Sequence, residues 1–263
     1  MPKLLPACRE SDKIWWEWSN MPRFFVPAPS IAGGAVRLTG RDAEHIRVLR
    51  IRPDEEFTVC DGAGTDYVCR LARRDGDETA AEIIRETPST GEPDVSVTVF
   101  LAFAKGDRLD YAVQKCVELG AAAVTLFPSE RAVAKPDAQS LPKKLARWQS
   151  VARSAAEQSG RGRVPEIFTS PSFEQAMEDA AKYDAPLFFY EEARGRGLLA
   201  ALAGAPPKTV SIVTGAEGGF TPEEASLAAE KGLKTVTLGP RILRCDTAPI
   251  AALAGVMLIT NNL

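Results

Sequence analysis

The sequence Ser211-Ile-Val-Thr-Gly-Ala-Glu-Gly-Gly-Phe-Thr-Pro-Glu-Glu224 contains signals for a strand, a glycine-rich turn and a helix in direct succession. The apolar residues before Gly215 predict a buried strand. Thr221 as N-cap, Pro222 at the first helical position and Glu224 in capping-box spacing predict a helix immediately after the loop. The loop glycines allow the backbone to approach a ligand closely. This stretch therefore predicts an α/β unit with a candidate binding loop.

Strands and helices alternate on both sides of this stretch. The predicted strands are Val95–Ala102, Ala123–Phe127, Pro186–Tyr190, Val210–Thr214 and Lys234–Leu238. The predicted helices are Arg108–Leu119, Leu141–Ser159, Phe173–Ala180, Pro222–Lys231 and Ala248–Ile259. Such alternation is typical of a mostly parallel sheet covered by helices on both faces.

The N-terminal part of the chain has a different pattern, with short strands separated by turns. The predicted strands are Phe24–Val26, Val36–Leu38, Phe57–Cys60, Tyr67–Ala72 and Ala80–Ile84. One helix interrupts them, with Thr39 as N-cap and Asp42 in capping-box spacing. A linker is predicted at residues 86–94. We therefore predict a poorly ordered extension at residues 1–20, a small β-barrel at residues 21–90 and an α/β domain at residues 91–263.

The composition is that of an ordinary globular protein. The 263 residues are 45% hydrophobic and 25% charged. The five cysteines form no CxxC pair, and His45 is the only histidine. These counts argue against a zinc site or a disulfide framework and favour the reducing cytoplasm. No apolar run approaches the roughly 20 residues needed to span a bilayer, so we expect neither a membrane nor a metal partner.

The charge is distributed unevenly along the chain. The formal net charge is −3, yet residues 131–163 carry a net +6 and all other residues together −9. A second basic cluster is formed by His45, Arg47, Arg50 and Arg52. Such clusters can bind a phosphate backbone through counterion release. The alternative is that each cluster is a solvated helix face.

A second candidate loop is Leu238-Gly-Pro-Arg-Ile-Leu-Arg-Cys-Asp-Thr247, which also follows a predicted strand. Ligands of open α/β sheets bind at the carboxyl ends of strands, so both loops are candidate sites. Ordinary strand-to-helix corners explain them equally well. Neither the GxGxxG nor the GxxxxGK[ST] pattern occurs, which excludes the usual nucleotide fingerprints. Nothing beside Cys245 in the sequence is placed to act as its base, which favours no role for this thiol.

Eight motifs that occur in a fixed order carry a family resemblance. They are Arg23-Phe-Phe-Val26, His45-Ile-Arg-Val-Leu-Arg50, Lys105-Gly-Asp-Arg108, Gln114-Lys115 with Glu118-Leu-Gly120, Ser129-Glu-Arg131, Glu157-Gln-Ser-Gly-Arg161, Gly215-Ala-Glu-Gly-Gly-Phe220 and Leu238-Gly-Pro-Arg-Ile-Leu-Arg244. From about Pro22 to Met257 the chain resembles the bacterial 16S ribosomal RNA uracil-N3 methyltransferases of the SPOUT superfamily.

The resemblance implies a fold, a cofactor and partners. The expected fold is α/β, a C-terminal SPOUT domain with a trefoil knot preceded by a PUA-like RNA-binding β-barrel. The expected cofactor is S-adenosylmethionine, and the expected partners are 16S rRNA or the small ribosomal subunit and a second copy of the chain. The cofactor would contact Thr214, Gly215, Glu217, Gly218, Leu238, Gly239, Ile242, Leu243 and Arg244. The RNA would contact Arg23, His45, Arg47, Arg50, Lys105 and Arg163.

The implied reaction requires loss of the weakly acidic proton on uracil N3. We expect Glu217 or Asp246 to accept it, and Arg131 or Arg161 to stabilise the resulting anion. Cys245 and Asp246 stand where the family commonly has Thr and Glu, and Ala216 where it commonly has Pro. A SPOUT ribose 2′-O-methyltransferase and a non-catalytic RNA-binding or ribosome assembly factor remain the alternative functions.

Overall fold

The computed structural model describes residues 21–134, 136–193 and 197–263. The predicted extension at residues 1–20 lies outside them. The contacts divide the chain into two units. The N-terminal unit comprises the chain up to Gly91 together with Glu157–Arg163, and the C-terminal unit comprises Glu92–Ala156 and Val164–Leu263. Across the described residues, every helix is too short or too polar to cross a membrane.

The N-terminal unit contains one mixed six-stranded sheet. Its strands are β1 (Arg23–Phe25), β2 (Ile31–Ala32), β3 (Ala35–Thr39), β4 (Glu56–Cys60), β5 (Thr65–Asp75) and β6 (Glu78–Pro88), with helix α1 (Gly40–Val48) after β3. The strand order is β1-β4-β5-β6-β3-β2. Only β1 and β4 pair in parallel, and the other pairs are antiparallel. The prediction of an N-terminal β domain is confirmed.

The core of this unit joins the sheet to α1. Phe24, Leu38, Phe57 and Val59 pack there with Ile46 of the helix. The alternation of buried and exposed residues in β3 is the pattern that sequence reasoning uses to find strands. β6 continues to Pro88, so the predicted linker is wrong in its first residues.

The predicted capping box of α1 is also wrong. Thr39 is the N-cap residue, but its side chain makes no capping hydrogen bond. Gly40 follows with a φ of 55°, which is not a helical angle. A cap requires the N–H groups of the first turn to point at the hydroxyl of the N-cap residue. At Thr39 they do not.

The C-terminal unit contains a second six-stranded sheet in which every pair is parallel. Its strands are β7 (Ser96–Ala102), β8 (Ala123–Phe127), β9 (Glu166–Thr169), β10 (Ala185–Phe189), β11 (Thr209–Thr214) and β12 (Lys234–Val236), in the order β12-β10-β11-β7-β8-β9. The helices are α2 (Arg108–Glu118), α3 (Leu141–Gln158), α4 (Phe173–Ala180), α5 (Leu198–Ala201), α6 (Pro222–Glu230) and α7 (Thr247–Ile259). The predicted parallel α/β architecture is confirmed.

Aromatic residues form the core between this sheet and one set of helices. Phe100, Phe127, Phe188 and Phe220 pack there with residues of α4 and α6, and Met177 of α4 is fully buried. Helix α7 packs instead on β7 and β11 and contacts α2. Because side chains alternate between the faces of a strand, both sheet faces are apolar in the central strands.

The order of the strands decides which loops meet. β11 lies between β10 and β7, and all three run in the same direction. Their carboxyl ends at Phe189, Thr214 and Ala102 therefore lie at one edge of the sheet. The predicted capping box at that edge is confirmed, since Thr221 and Glu224 form both of its hydrogen bonds. The capped helix α6 thus begins directly at the glycine-rich loop.

Candidate functional site

A cavity of about 1200 Å³ opens at this edge of the C-terminal unit. It is lined by residues 189–193 after β10, residues 214–219 after β11 and residues 237–245 after β12, together with Arg108 and Ala248. Concave sites at the carboxyl ends of parallel strands are the usual ligand sites of α/β proteins.

All nine predicted cofactor residues line this one cavity: Thr214, Gly215, Glu217, Gly218, Leu238, Gly239, Ile242, Leu243 and Arg244. The two loops that sequence analysis selected separately are thus brought together by the pairing of β10 with both β11 and β12. Ile242 lines the cavity and is 87% exposed, so its apolar side chain is available to pack against a ligand.

We define the cofactor loop as Gly215–Phe220. At two of its glycines, side chains from other parts of the chain lie very close to the backbone. A Cβ at Gly219 would lie 1.8 Å from Oε1 of Glu191, and Gly219 has a φ of 64°. A Cβ at Gly218 would lie 2.8 Å from Cβ of Arg131. At Gly218 the neighbour is the start of the Arg131 side chain, which cannot move aside, and at Gly219 the positive φ favours glycine even though the Glu191 carboxylate can swing away.

An unpartnered polar atom lies in the wall of the cavity. The hydroxyl oxygen of Thr214 is buried and has no hydrogen-bond partner in the part of the chain that the structure describes. A buried hydroxyl without a partner is costly, so a ligand with a polar group is expected to satisfy it. Together with apolar Leu238, Ile242 and Leu243, this lining fits a nucleoside such as the adenosine of S-adenosylmethionine.

Glu217 is held at the cavity by two donors. Its Oε1 accepts a hydrogen bond from the Lys105 N–H at 2.9 Å and one from Nη1 of Arg108 at 3.2 Å. Arg108 also lines the cavity, a role that sequence analysis missed. The signal was its motif Lys105-Gly-Asp-Arg108, which follows β7, the strand that pairs with β11. Arg108 and Glu217 meet because the carboxyl ends of β7 and β11 are neighbours in the sheet, which the sequence alone does not show.

The other predicted proton acceptor, Asp246, has fewer donors and is itself not among the residues that line the cavity, although the preceding Cys245 is. Its Oδ1 accepts a hydrogen bond of 3.2 Å from the Thr247 hydroxyl. Its neighbour Cys245 lines the cavity, although sequence analysis favoured no role for that thiol. Burial raises the pKa of the Cys245 thiol above its ordinary value, and the charge of Glu217 acts in the same direction.

The two predicted anion-stabilising arginines lie in different units. Nη1 of Arg131 donates hydrogen bonds to the carbonyl oxygens of Gly218 at 3.3 Å and Phe220 at 3.0 Å. Arg161 belongs to the N-terminal unit and is 3% exposed, and its carbonyl oxygen accepts a hydrogen bond from Nη1 of Arg23. Of the two, only Arg131 therefore belongs to the unit that forms the cavity.

The predicted RNA-binding residues differ in their surroundings. Arg50 is exposed, and Arg47 lies 3.6 Å from Asp77 in a surface ion pair. His45 is half-buried and contacts the Phe24 ring edge to face, with 5.5 Å between ring centroids. Lys105 and Arg163 are exposed.

Arg23, in contrast, is not at the surface. Its side chain is 11% exposed and donates two hydrogen bonds to the carboxylate of Asp66, each 2.6 Å long. A guanidinium committed to a buried carboxylate is not presented to a phosphate.

The site contains no evident metal centre. Within residues 21–134, 136–193 and 197–263, the His, Cys, Asp and Glu side chains form no cluster of three that could hold a metal ion.

The chain is similar to known RNA methyltransferases over most of its length. A family model described as an RNA methyltransferase domain matches residues 91–257, and one described as an RNA methyltransferase PUA domain matches residues 38–84. The ribosomal RNA small subunit methyltransferase E of Bacillus subtilis (strain 168) is 34% identical over 232 residues, which cover 86% of this chain and 91% of the relative.

Solved structures give the same result. The ribosomal RNA small subunit methyltransferase E of Neisseria gonorrhoeae, crystallised with S-adenosyl methionine, is 35% identical with a TM-score of 0.80, covering 91% of this chain and 98% of the other. A methyltransferase of Legionella pneumophila with bound cofactor SAM is 28% identical with a TM-score of 0.83, again covering 91% and 98%. These matches show that the chain belongs to the ribosomal RNA small subunit methyltransferase E family.

Proposed function

We propose that this protein transfers a methyl group from S-adenosylmethionine to N3 of a specific uridine in small-subunit (16S) ribosomal RNA. The observation that carries the proposal is the single cavity lined by all nine predicted cofactor residues. Its buried, unpartnered Thr214 hydroxyl supports a polar ligand at this position. The Neisseria relative, crystallised with S-adenosyl methionine, supports the choice of cofactor.

The residues of the cavity have distinct parts in binding. S-adenosylmethionine, when bound, supplies an electrophilic methyl group. Leu238, Ile242 and Leu243 provide apolar surface for an adenine ring, and the Thr214 hydroxyl provides a hydrogen-bonding group. The glycines of the cofactor loop keep the backbone close to the ligand. No phosphate cradle is needed, which agrees with the missing nucleotide fingerprints.

The proton on uracil N3 must be removed by a group of the protein. Oε1 of Glu217 is already engaged by the Lys105 N–H and by Nη1 of Arg108. Asp246 receives one hydroxyl donor, so we propose Asp246 as the acceptor and Glu217 as the residue that orients Arg108. A proton acceptor must reach the N3 proton directly or through one water. The target uracil must therefore be unpaired or extruded from its helix before the reaction.

Negative charge on uracil O2 and O4 needs a cation in the site. Arg108 lines the cavity and belongs to the same unit as the cofactor loop, so we propose it for this role. An arginine remains charged at all relevant pH values, and its several N–H groups allow it to contact Glu217 and the substrate together. Arg161 is buried in the N-terminal unit, which favours a structural role there.

RNA binding is proposed for the four predicted RNA-binding residues that are exposed, which are Arg47, Arg50, Lys105 and Arg163. His45 is included as the half-buried neighbour of Arg47 on α1. Contacts of this kind supply affinity without reading sequence, because they are made to phosphates.

The assembly and the cellular setting are also part of the proposal. We propose a homodimer, a trefoil-knotted C-terminal domain and a cytoplasmic location, as the family resemblance implies. Leu199 and Leu258 are 73% and 59% exposed on α5 and α7, two helices that pack together, which supports an apolar contact surface in this region. Light scattering coupled to size exclusion checks the dimer, since a species of single-chain mass contradicts it.

Nucleoside analysis of 16S rRNA tests the reaction. We expect cells that lack the protein to lose one N3-methyluridine, and the purified protein with S-adenosylmethionine to restore it on naked rRNA or on the assembled subunit. A methyl group on ribose O2′ would identify the alternative SPOUT enzyme. Failure of the wild-type protein to bind S-adenosylmethionine in calorimetry would leave only a non-catalytic RNA-binding or assembly factor.

A further inference from the structure

We infer that Glu224 and Arg131 are positioning residues that fix the cofactor loop, and that Arg131 acts on the loop backbone rather than on the uracil. The inference rests on the proposed function, because it concerns the cavity assigned to S-adenosylmethionine. It is carried by a continuous set of hydrogen bonds from the start of α6 to the carbonyl groups of the cofactor loop.

The first part of this set is the buried carboxylate of Glu224, which is 7% exposed. Its Oε2 accepts a hydrogen bond of 3.0 Å from the Thr221 N–H, and this bond is part of the capping box of α6. The same carboxylate also accepts hydrogen bonds from the Ser129 hydroxyl at 3.3 Å and from the Glu130 N–H at 2.9 Å. One side chain therefore joins the end of the cofactor loop to a segment 94 residues away in the sequence.

The second part is Arg131, the residue that follows this anchored segment. Its Nη1 donates to the carbonyl oxygens of Gly218 and Phe220, so the guanidinium spans the second half of the cofactor loop. The backbone of the loop also lies directly on the arginine stem, because a Cβ at Gly218 would be 2.8 Å from Cβ of Arg131. Contact and hydrogen bonds together determine where Gly218 lies.

Both parts belong to the C-terminal unit and share one loop. Glu224 fixes the position of residues 129–131, and Arg131 transmits this position to Gly218 and Phe220. Without them the loop would sample more conformations, and the population that is competent for binding would fall. The apparent affinity for a ligand falls by the same fraction. The expected effect is on cofactor affinity, while the chemical step with bound cofactor stays largely intact.

A direct role of Arg131 at the uracil predicts a different result. A group that stabilises negative charge only in the transition state lowers kcat and leaves cofactor affinity unchanged. The two roles are therefore separated by measuring the dissociation constant of S-adenosylmethionine and kcat on the same variants. Thermal melting of the ligand-free protein accounts for any general loss of stability.

The test uses the full-length variants Arg131→Gln, Arg131→Lys and Glu224→Gln in calorimetry with S-adenosylmethionine. We expect the dissociation constant to rise by about ten-fold or more for Arg131→Gln and Glu224→Gln, and by less for Arg131→Lys, which keeps one donor group for the carbonyls. At saturating cofactor and RNA, kcat should stay within about three-fold of wild type. Glu223→Gln is the matched control, because Glu223 is an exposed carboxylate in the same helical turn, and its affinity should be unchanged.

Gly218→Ala is a second test of the same inference, because it displaces the cofactor loop without changing any charge. The added methyl group would push the loop off Arg131 and should also weaken S-adenosylmethionine binding. Wild-type affinity in Arg131→Gln and Gly218→Ala, or a large fall in kcat at unchanged affinity for Arg131→Gln, overturns the inference. Failure of the proposed function is distinguishable, because the wild-type protein itself would then give no binding heat.

Discussion

The guanidinium of Arg23 and the carboxylate of Asp66 form a buried bidentate ion pair in the N-terminal unit, with two hydrogen bonds of 2.6 Å. Their side chains are 11% and 3% exposed. The Ser89 hydroxyl also donates to Asp66, and Nη1 of Arg23 reaches the carbonyl oxygen of Arg161 at 3.2 Å. Arg23 thus connects β1, β5 and the segment Glu157–Arg163 of the same unit.

The first prediction follows from that pair. Arg23→Ala leaves Asp66 buried without its counter-charge, so we expect the free energy of unfolding to fall by about 3–5 kcal/mol, as for other broken buried pairs. Arg23→Lys should be intermediate, because a lysine cannot form both parallel hydrogen bonds. Urea unfolding measures the change. Arg37→Ala is the control, since Arg37 makes only an exposed contact of 3.9 Å with Glu78. Unchanged stability with weakened RNA binding would instead restore Arg23 as an RNA contact.

Local signals in the sequence predicted more of the fold than of the site. The capping box of α6 was predicted correctly because Thr221 and Glu224 are three residues apart and need no other part of the chain. Strand β9 was missed, because Glu166–Thr169 has only four residues and its sequence Glu-Ile-Phe-Thr does not alternate polar and apolar residues. Short elements of this kind form through pairing with a neighbour, here β8.

The parts of the site that sequence analysis missed depend on long-range pairing. Arg108 meets Glu217 only because β7 pairs with β11, a contact over 109 residues. Glu191 approaches Gly219 for a similar reason, because β10 pairs with β11. Arg23 was assigned to RNA through the family resemblance of its motif, and a sequence does not show that the residue is buried.

The second prediction concerns Gly219 and Glu191. Gly219→Ala would place a methyl group 1.8 Å from Oε1 of Glu191 at a φ of 64°. We expect affinity for S-adenosylmethionine to fall by about ten-fold, mainly because an alanine is strained at this φ, while the exposed Glu191 carboxylate can move aside at a smaller cost. Calorimetry measures this affinity.

Two further variants separate the clash from the strain at Gly219. In Gly219→Ala with Glu191→Ala the clash is removed and only the strain remains, so part of the affinity should return. Gly232→Ala is the control, because Gly232 has a φ of 95° and open space around it, and it lies just beyond the C-terminal end of α6. Equal losses of affinity in Gly232→Ala and Gly219→Ala would show that contact with Glu191 is unimportant.

The third prediction separates the two carboxylates of the proposed mechanism. Asp246→Asn should lower kcat by about 100-fold or more, the usual contribution of a proton-transferring group. Glu217→Gln should have a smaller effect on kcat, because its proposed role is to hold Arg108. Single-turnover methylation of an rRNA fragment measures both rates, and calorimetry confirms that cofactor still binds. If both variants keep near wild-type turnover with intact binding, neither carboxylate accepts the proton.

The fourth prediction uses cysteine alkylation to map the cavity. Burial raises the pKa of Cys69 and of Cys116 to about 12, and raises that of Cys245 by a smaller amount. A raised pKa means less thiolate at pH 8, so Cys245 should react more slowly than a free thiol, with a rate that still increases above pH 9. It should nevertheless react before Cys69 and Cys116, which are fully buried.

Mass spectrometry after iodoacetamide treatment identifies the modified thiol. A Cys8→Ser background removes the cysteine outside the described residues, and Cys245→Ser is the negative control. Because Cys245 lines the cavity, saturating S-adenosylmethionine should slow its alkylation. Alkylation of Cys245 at the same rate with and without the cofactor would contradict the assignment of this cavity.

The fifth prediction concerns the basic cluster of the N-terminal unit. Arg50 is exposed at the end of α1 with a φ of 55°, next to Val48 and Leu49, which are 70% and 45% exposed. If Arg50 contacts a phosphate, Arg50→Gln removes one counterion-release site. The slope of log affinity against log salt should then become shallower by about 0.7–0.9, with weaker binding to all RNA sequences alike. Fluorescence anisotropy over a salt series measures the slope.

Arg37→Gln is the matched control for Arg50→Gln, because Arg37 is also exposed but belongs to β3, outside the cluster. Its slope should equal that of wild type. An unchanged slope in Arg50→Gln would mean that α1 presents a solvated basic face and that RNA affinity arises elsewhere. The overall charge of −3 does not decide between these outcomes, because a local positive surface acts within about 10 Å at moderate salt.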